Sequence, residues 1–385
     1  MTRFIVKICI FLLPIALVLA PPAAVILLSR EKYSNESVIR IQTAHPEALV
    51  AKKFIDNDTS GRLFKKALIK DKKPELITIG SSRSMTFRKE LFSNPDRFVN
   101  AAFGRFDIYQ FEHFLASLPE DTSVKVVLVG LDQNLFRSDF APYAPPPEET
   151  LETLGEHIVE FVSYDWRMIY YDSLVRKLFT FRDVLARSLH TNDIGLAALI
   201  EKEGFRGDGS YNYRVELENP QRKQLYGDEL AQKLALFKED RGAFEYATST
   251  SAAALASLDR VLALAKARHI QVIGFLTPYA PELYTEMLSV DDRYREMVFE
   301  LPRVIRAVFI KHGFETYDFS NAKILGANDG EFINTTHVTD KFDLRELLYM
   351  ANRSQVLRPY VDIKKAESLI ANTPQDFLPL DASPK

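Results

Sequence analysis

The sequence predicts an α/β protein. Its body is expected to be a three-layer α/β/α arrangement around an open, mainly parallel sheet, with an inserted helical subdomain and a preceding N-terminal transmembrane helix. Three observations predict this. From residue 76 onward, short apolar runs alternate with stretches of helical periodicity, the pattern of strands covered by helices on both faces. Each apolar run is followed at once by small or polar residues. Residues 8–28 hold no charged or strongly polar side chain, which is close to the roughly 20 residues that a helix needs to cross a bilayer.

Arg3 and Lys7 precede the apolar stretch, and Pro14, Pro21 and Pro22 interrupt it, which bilayer helices tolerate better than soluble ones. Leu17-Val18-Leu19-Ala20 resembles a weak cleavage site, but Pro21 and the apolar residues up to Leu28 argue against cleavage. Residues 1–29 are therefore expected to be an uncleaved signal-anchor in the inner membrane. Arg30 and Lys32 on the far side weaken the charge asymmetry that sets orientation. Cleaved or not, the body is expected on the periplasmic side.

Residues 30–74 are polar and mixed, with a helix-like stretch at 62–69, and are expected to form a stalk and lead-in. The α/β domain is expected over 75–358, with strands at 76–79, 98–101, 124–130, 270–277 and 315–318. Between them, Ile108, Phe111, Phe114, Leu115 and Leu118 share one helical face, and so do Leu255, Leu258, Val261, Leu262 and Ala265. The alternation stops over 137–250, which is expected to be an insertion. It leaves the sheet through the Pro-rich stretch 141–147, continues through helical patterns around Tyr164, Trp166, Tyr170, Tyr171, Phe179 and Phe181, and passes a Gly-rich loop at 204–209. The aromatic cluster is expected to be subdomain core. The tail, 359–385, is polar and Pro-containing and is expected to be partly disordered.

Composition narrows the function. The 385 residues carry a formal net charge of -3, with no basic excess to suggest nucleic acid as a partner. The single cysteine, Cys9, lies in the apolar stretch, so a disulfide scaffold and cysteine-rich metal sites are excluded. No His-Glu-x-x-His, Walker loop or carboxylate-rich metal loop appears, so neither a metal nor a cofactor is expected.

The strand ends carry the candidate chemistry, because ligands of open parallel sheets bind where the carboxyl ends of the strands converge. Those ends read Gly80-Ser81-Ser82-Arg83, Asn100-Ala101-Ala102-Phe103-Gly104-Arg105, Gly130-Leu131-Asp132-Gln133-Asn134 and Thr277-Pro278-Tyr279. The last strand leads by a loop to Asn334-Thr335-Thr336-His337. A serine so placed is a nucleophile if a base reaches it, and His337 is the candidate base. Gly-Ser-Ser taken alone would be a turn with a serine N-cap, and Asp132 could equally cap the next helix. Arg83 and Arg105 either clamp an anionic group or are solvated.

On these blocks the chain resembles the SGNH/GDSL-type hydrolases. The likeness is to their membrane-anchored exported branch, which includes the D-alanyl-lipoteichoic-acid and alginate-acetylation proteins. The resemblance runs from about Leu76 to Ala351 and implies an SGNH, flavodoxin-like sheet. It places Ser82 as nucleophile, with Ser81 where the family has Asp, and Gly104 as an oxyanion N–H. His337 becomes the base, with Asn334 in the place of the family's Asp. It also implies an acyl ester of a cell-envelope polysaccharide as substrate, and a membrane-bound O-acyltransferase as possible partner. Two departures stand out. Asp132 occupies the place of an oxyanion asparagine, and an ionised carboxylate only accepts. Either Asp132 turns away to orient a neighbour, or Asn134 supplies the donor, or the hole rests on backbone N–H groups. Asn334 must orient the histidine through its carbonyl, as asparagine does in papain-like proteases, unless Asp329, Asp340 or a backbone carbonyl does so. Two functions are compatible with these residues: a serine esterase or O-acyltransferase, or a non-catalytic accessory that binds glycan or the acyltransferase.

Overall fold

The computed structural model describes residues 2–52, 58–104, 107–137, 165–239, 241, 250–290 and 292–378. Arg105, Tyr164 and the Pro-rich stretch 141–147 lie outside them. The chain divides into two compact units, Met1–Ile55 with Pro146–Gly207 and Asp56–Pro145 with Asp208–Lys385.

The second unit is built on five parallel strands: β1 (Leu76–Ile79), β2 (Phe98–Asn100), β3 (Val126–Leu131), β4 (Gln271–Leu276) and β5 (Glu315–Asp318). They stand in the order β2-β1-β3-β4-β5. Leu76 is in register with Phe98 on one side and Val126 on the other, Val126 with Gln271, and Ile273 with Glu315. β1 and β3 are buried throughout, as parallel strands flanked on both sides are. Leu76, Leu128, Ile273 and Phe275 face one core with Leu344, Leu347 and Met350 of the helix Asp340–Ala351. From the opposite face, Phe309 of the helix Asp292–His312 lies against Gly274, where a Cβ would meet its ring at 2.4 Å. The strand order reverses between β1 and β3, and the crevice at such a reversal is where open α/β sheets bind ligands.

The expected insertion, 137–250, does not hold as one body: 208–238 belongs with the sheet and 165–207 does not. The apolar spacing of the helix Arg222–Lys238 looks the same in either place, and only its packing decides. Its Leu230 and Phe237 lie in one core with Tyr279, Leu283 and Phe332. Part of the tail is ordered, and residues 379–385 lie outside the described residues. Ile363–Asn372 is a helix whose buried Ala366 joins the core beside Leu347 and Met350, and Lys341 Nζ donates to the Thr373 carbonyl at 2.8 Å.

The lead-in is not a stalk either. Its helix Asp58–Lys72 buries Phe64, Lys65, Leu68 and Ile69. Lys65 Nζ donates to the carbonyls of Asn100, at 3.0 Å, and Gly209. Burial pulls the Lys65 pKa down from 10.5 to about 7, against the pull of Asp208 in the other direction. Between these values the unfolded chain keeps a proton that the folded chain has lost. Stability should therefore rise with pH from about 7 towards 10.5, by up to roughly 1.4 kcal/mol per unit, and Lys65 should contribute no slope below that window. Denaturant titrations of the full chain in detergent at pH 7, 8 and 9 should show this slope in the native protein and lose it in Lys65→Met.

In the first unit, the helix Thr2–Leu28 is followed by Asn35–Ala44. Residues after the apolar helix lock onto 191–205: Gly195 N–H donates to the Ser29 carbonyl at 2.6 Å, and Val50 and Phe205 exchange backbone hydrogen bonds of 2.9 and 2.7 Å. Trp166, Tyr170, Phe179 and Phe181 form a chain of edge-on ring contacts. Ile169, Phe179 and Val184 form a core with Val25 of the apolar helix. Helix Thr2–Leu28 contains the stretch Ile10–Leu28, long and apolar enough to cross a membrane.

Candidate active site

The turn that carries Ser82 starts where β1 ends. Gly80 leaves the strand at φ +150°, and the single turn Ser82–Ser84 folds back over the sheet end. The fit is close: a Cβ on Gly130 would stand 2.0 Å from Ser84 Oγ, and one on Gly80 2.6 Å from it. Ser81 takes the capping role, its hydroxyl accepting from the Arg83 N–H at 3.2 Å, which leaves the Ser82 hydroxyl to point elsewhere. Asn100, at the end of β2, clamps the turn by donating from Nδ2 to the carbonyls of Ser84 and Phe87, both at 2.8 Å.

Ser82 Oγ lies 2.8 Å from His337 Nε2. Both residues are half-buried. His337 is carried by a tight turn that comes after β5, in which Ile333 N–H donates to the His337 carbonyl at 2.8 Å. Within it, Asn334 Oδ1 accepts from the backbone N–H groups of Thr336 at 3.1 Å and His337 at 2.9 Å. Backbone N–H groups only donate, so they fix which end of the Asn334 amide is oxygen. That oxygen also stands 2.9 Å from His337 Nδ1. The proton must therefore sit on Nδ1, which leaves Nε2 as acceptor for the Ser82 hydroxyl. The two other carboxylates that could hold the imidazole are engaged elsewhere. Asp329 accepts from the Tyr226 hydroxyl at 2.7 Å, and Asp340 pairs with Arg88 at 2.8 Å.

Arg83 is neither solvated nor open to a substrate anion. Its guanidinium is buried and donates to the Thr336 carbonyl at 3.1 Å, to Gln133 Oε1 at 3.2 Å and to the Pro278 carbonyl. It lies 3.7 Å from Asp132 Oδ1 and 4.8 Å over the Tyr279 ring. One side chain therefore ties the Ser82 turn to the ends of β3 and β4 and to the His337 turn. Asp132 accepts from the Thr277 hydroxyl at 2.8 Å, so its carboxylate is turned towards the sheet end. Asp132 caps nothing with its side chain. Asn134 is half-exposed on the turn Gln133–Phe136. Gly104 comes directly after Phe103, whose N–H donates to the Gly80 carbonyl at 3.2 Å.

Several residues at the site were not singled out by the sequence. Gln133 Nε2 donates to the Thr277 carbonyl at 2.7 Å and to Ser320 Oγ at 2.9 Å, joining three strand ends. Glu229 of the helix Arg222–Lys238 accepts from the buried Thr335 hydroxyl at 3.1 Å, and Arg222 of the same helix donates to the Phe332 carbonyl at 2.8 Å. Tyr213 sets its ring 6.0 Å from the His337 ring. Beneath the turn, burial pushes the Asp343 and Glu346 carboxyls well above their ordinary range, and each is raised further by a neighbouring acid. Comparisons of the chain with protein-family models, curated proteins and solved structures gave no match.

Proposed function

We propose that the protein is a membrane-anchored serine esterase or O-acyltransferase with an SGNH-like, three-layer body on the periplasmic side. Its proposed substrate is an acyl ester of a cell-envelope polysaccharide, with a membrane-bound O-acyltransferase as partner. The observation that carries this is the linked set of Ser82 Oγ, His337 Nε2, His337 Nδ1 and Asn334 Oδ1, at 2.8 and 2.9 Å, with the imidazole in the tautomer that a general base requires.

In the proposed reaction, Ser82 Oγ attacks the ester carbonyl and its proton passes to His337 Nε2. The tetrahedral oxyanion is held by the N–H groups of Ser82 and Gly104 and by the Asn134 amide. The leaving alcohol takes the proton from Nε2, which yields an acyl-enzyme. Water or a sugar hydroxyl then attacks this ester and gives its proton to Nε2; the bond from the acyl carbon to Oγ breaks, and Nε2 returns the proton to Ser82 Oγ. Because Asp132 is held by Thr277, its charge does not have to face the oxyanion.

A fluorophosphonate probe tests this directly. The native protein should be labelled at Ser82, and Ser82→Ala should not. Silence on a folded native protein would overturn the proposal and leave the accessory role.

A further inference from the structure

The helix Thr2–Leu28 changes character along its length. Every side chain from 10 to 18 is exposed, whereas Pro22, Val25 and Ser29 are buried. The change falls where the Tyr170 hydroxyl donates to the Val18 carbonyl at 2.8 Å. That carbonyl has no helical donor, because the residue four positions on is Pro22, which lacks an N–H. Beyond it, Val25, Ile26 and Leu28 pack against Ile169, Phe179 and Val184.

The exposed part alone does not span a bilayer. Residues 10–18 rise about 14 Å at 1.5 Å per residue, against a hydrocarbon core of about 30 Å. The whole uncharged run after Lys7, residues 8–28, rises about 31 Å, so crossing the core carries the membrane boundary past Pro22 and into the level of the sheath of helices packed on one side of it, while Leu27 on the other side stays 75 % exposed. That sheath exposes Tyr171, Leu174, Val175, Leu178, Leu185 and Leu189, each 40 to 72 % exposed. Arg167, Arg176, Lys177, Arg182 and Arg187 are interleaved with them against three acids, for a net +2 over 165–189. Exposed leucines beside tyrosine, tryptophan and long cations are the make-up of a surface that lies in the headgroup layer.

We propose that residues 166–189 form a collar embedded in the same bilayer that the anchor crosses. Leu174, Val175 and Leu178 reach the acyl boundary, and Lys177 and Arg182 meet anionic phospholipid headgroups, whereas Arg187 is held by the Leu199 carbonyl at 3.2 Å and Arg176 by Asp172 at 3.1 Å. The collar rests on the anchor crossing a bilayer and is independent of the chemistry at Ser82. Trp166 is the only tryptophan and Cys9 the only cysteine, so the native chain carries both reporters that the test needs. The full-length protein would be reconstituted in phosphatidylcholine–phosphatidylglycerol vesicles with lipids brominated at shallow or deep acyl positions, and with a nitroxide on Cys9. The expected result is Trp166 quenching that is strongest with shallow bromines, weakened by Leu174→Asp with Leu178→Asp, and a Cys9 label in hydrocarbon throughout. An unquenched Trp166 with Cys9 in hydrocarbon would overturn the collar and leave the patch to a protein partner. Quenching that appears only when the protein is diluted in lipid would overturn it in favour of a second copy of the chain. A Cys9 label in water would remove the anchor, and the collar with it.

Discussion

Ser82→Ala is expected to lower ester turnover by about 10⁶-fold, His337→Ala by a similar factor, and the double variant by no more than either alone. The non-additivity is the informative part. Ser82 Oγ and His337 Nε2 share one hydrogen bond, so removing either member disables the same proton transfer. The effect should be chemical and not a folding defect. The turn is held by the Ser81 cap, by Asn100 and by Arg83, and none of these bonds passes through the Ser82 side chain. Losing the half-buried hydroxyl should cost at most about 1 kcal/mol of stability. Release of an activated acyl ester, measured beside thermal unfolding of each variant, checks both statements. Full activity in Ser82→Ala would end the proposed mechanism.

The strands were legible because buried parallel strands are written as short apolar runs, and all five lie within a few residues of the expected positions. The residues at their carboxyl ends were legible as a set for the same reason, since topology alone brings strand ends to one rim. What the sequence could not provide was the partner of each long side chain. Arg83 suggested an anion clamp because it is charged and adjacent to Ser82, yet its donors are spent on carbonyls and an amide 50 to 253 residues away. The ambiguity at Asp132 was resolved only by Thr277, 145 residues on. Lys65 and Glu229 lie outside every motif, on helices whose packing depends on which unit they join. The tail carries a helical signal of its own: Ile363, Ala366 and Ile370 repeat at helical spacing, and they mark it as a helix that docks.

Asn334 yields the second large effect, and one with a change of sign. In a serine triad the third member holds the imidazole tautomer and stabilises the imidazolium that forms. Asn334 does the first without a charge, because Thr336 and His337 N–H groups pin its oxygen towards Nδ1. Asn334→Leu removes the acceptor and should cost about 10³–10⁴ in turnover, the loss associated with a wrong tautomer. Asn334→Asp keeps an acceptor in the same position and adds a negative charge in hydrogen-bond contact with the ring. An opposite charge at such range raises a histidine pKa by about 1–3 units. The acid limb of the kcat/KM profile should therefore move to higher pH by that amount. Above the limb, turnover should increase by about tenfold, as a stronger base takes the Ser82 proton. The two variants together separate orientation from charge. If leucine is harmful and aspartate shifts the limb, Asn334 is the third member of the relay. If the limb stays in place in Asn334→Asp, the Nδ1 proton is held by some other acceptor and the relay has only two members.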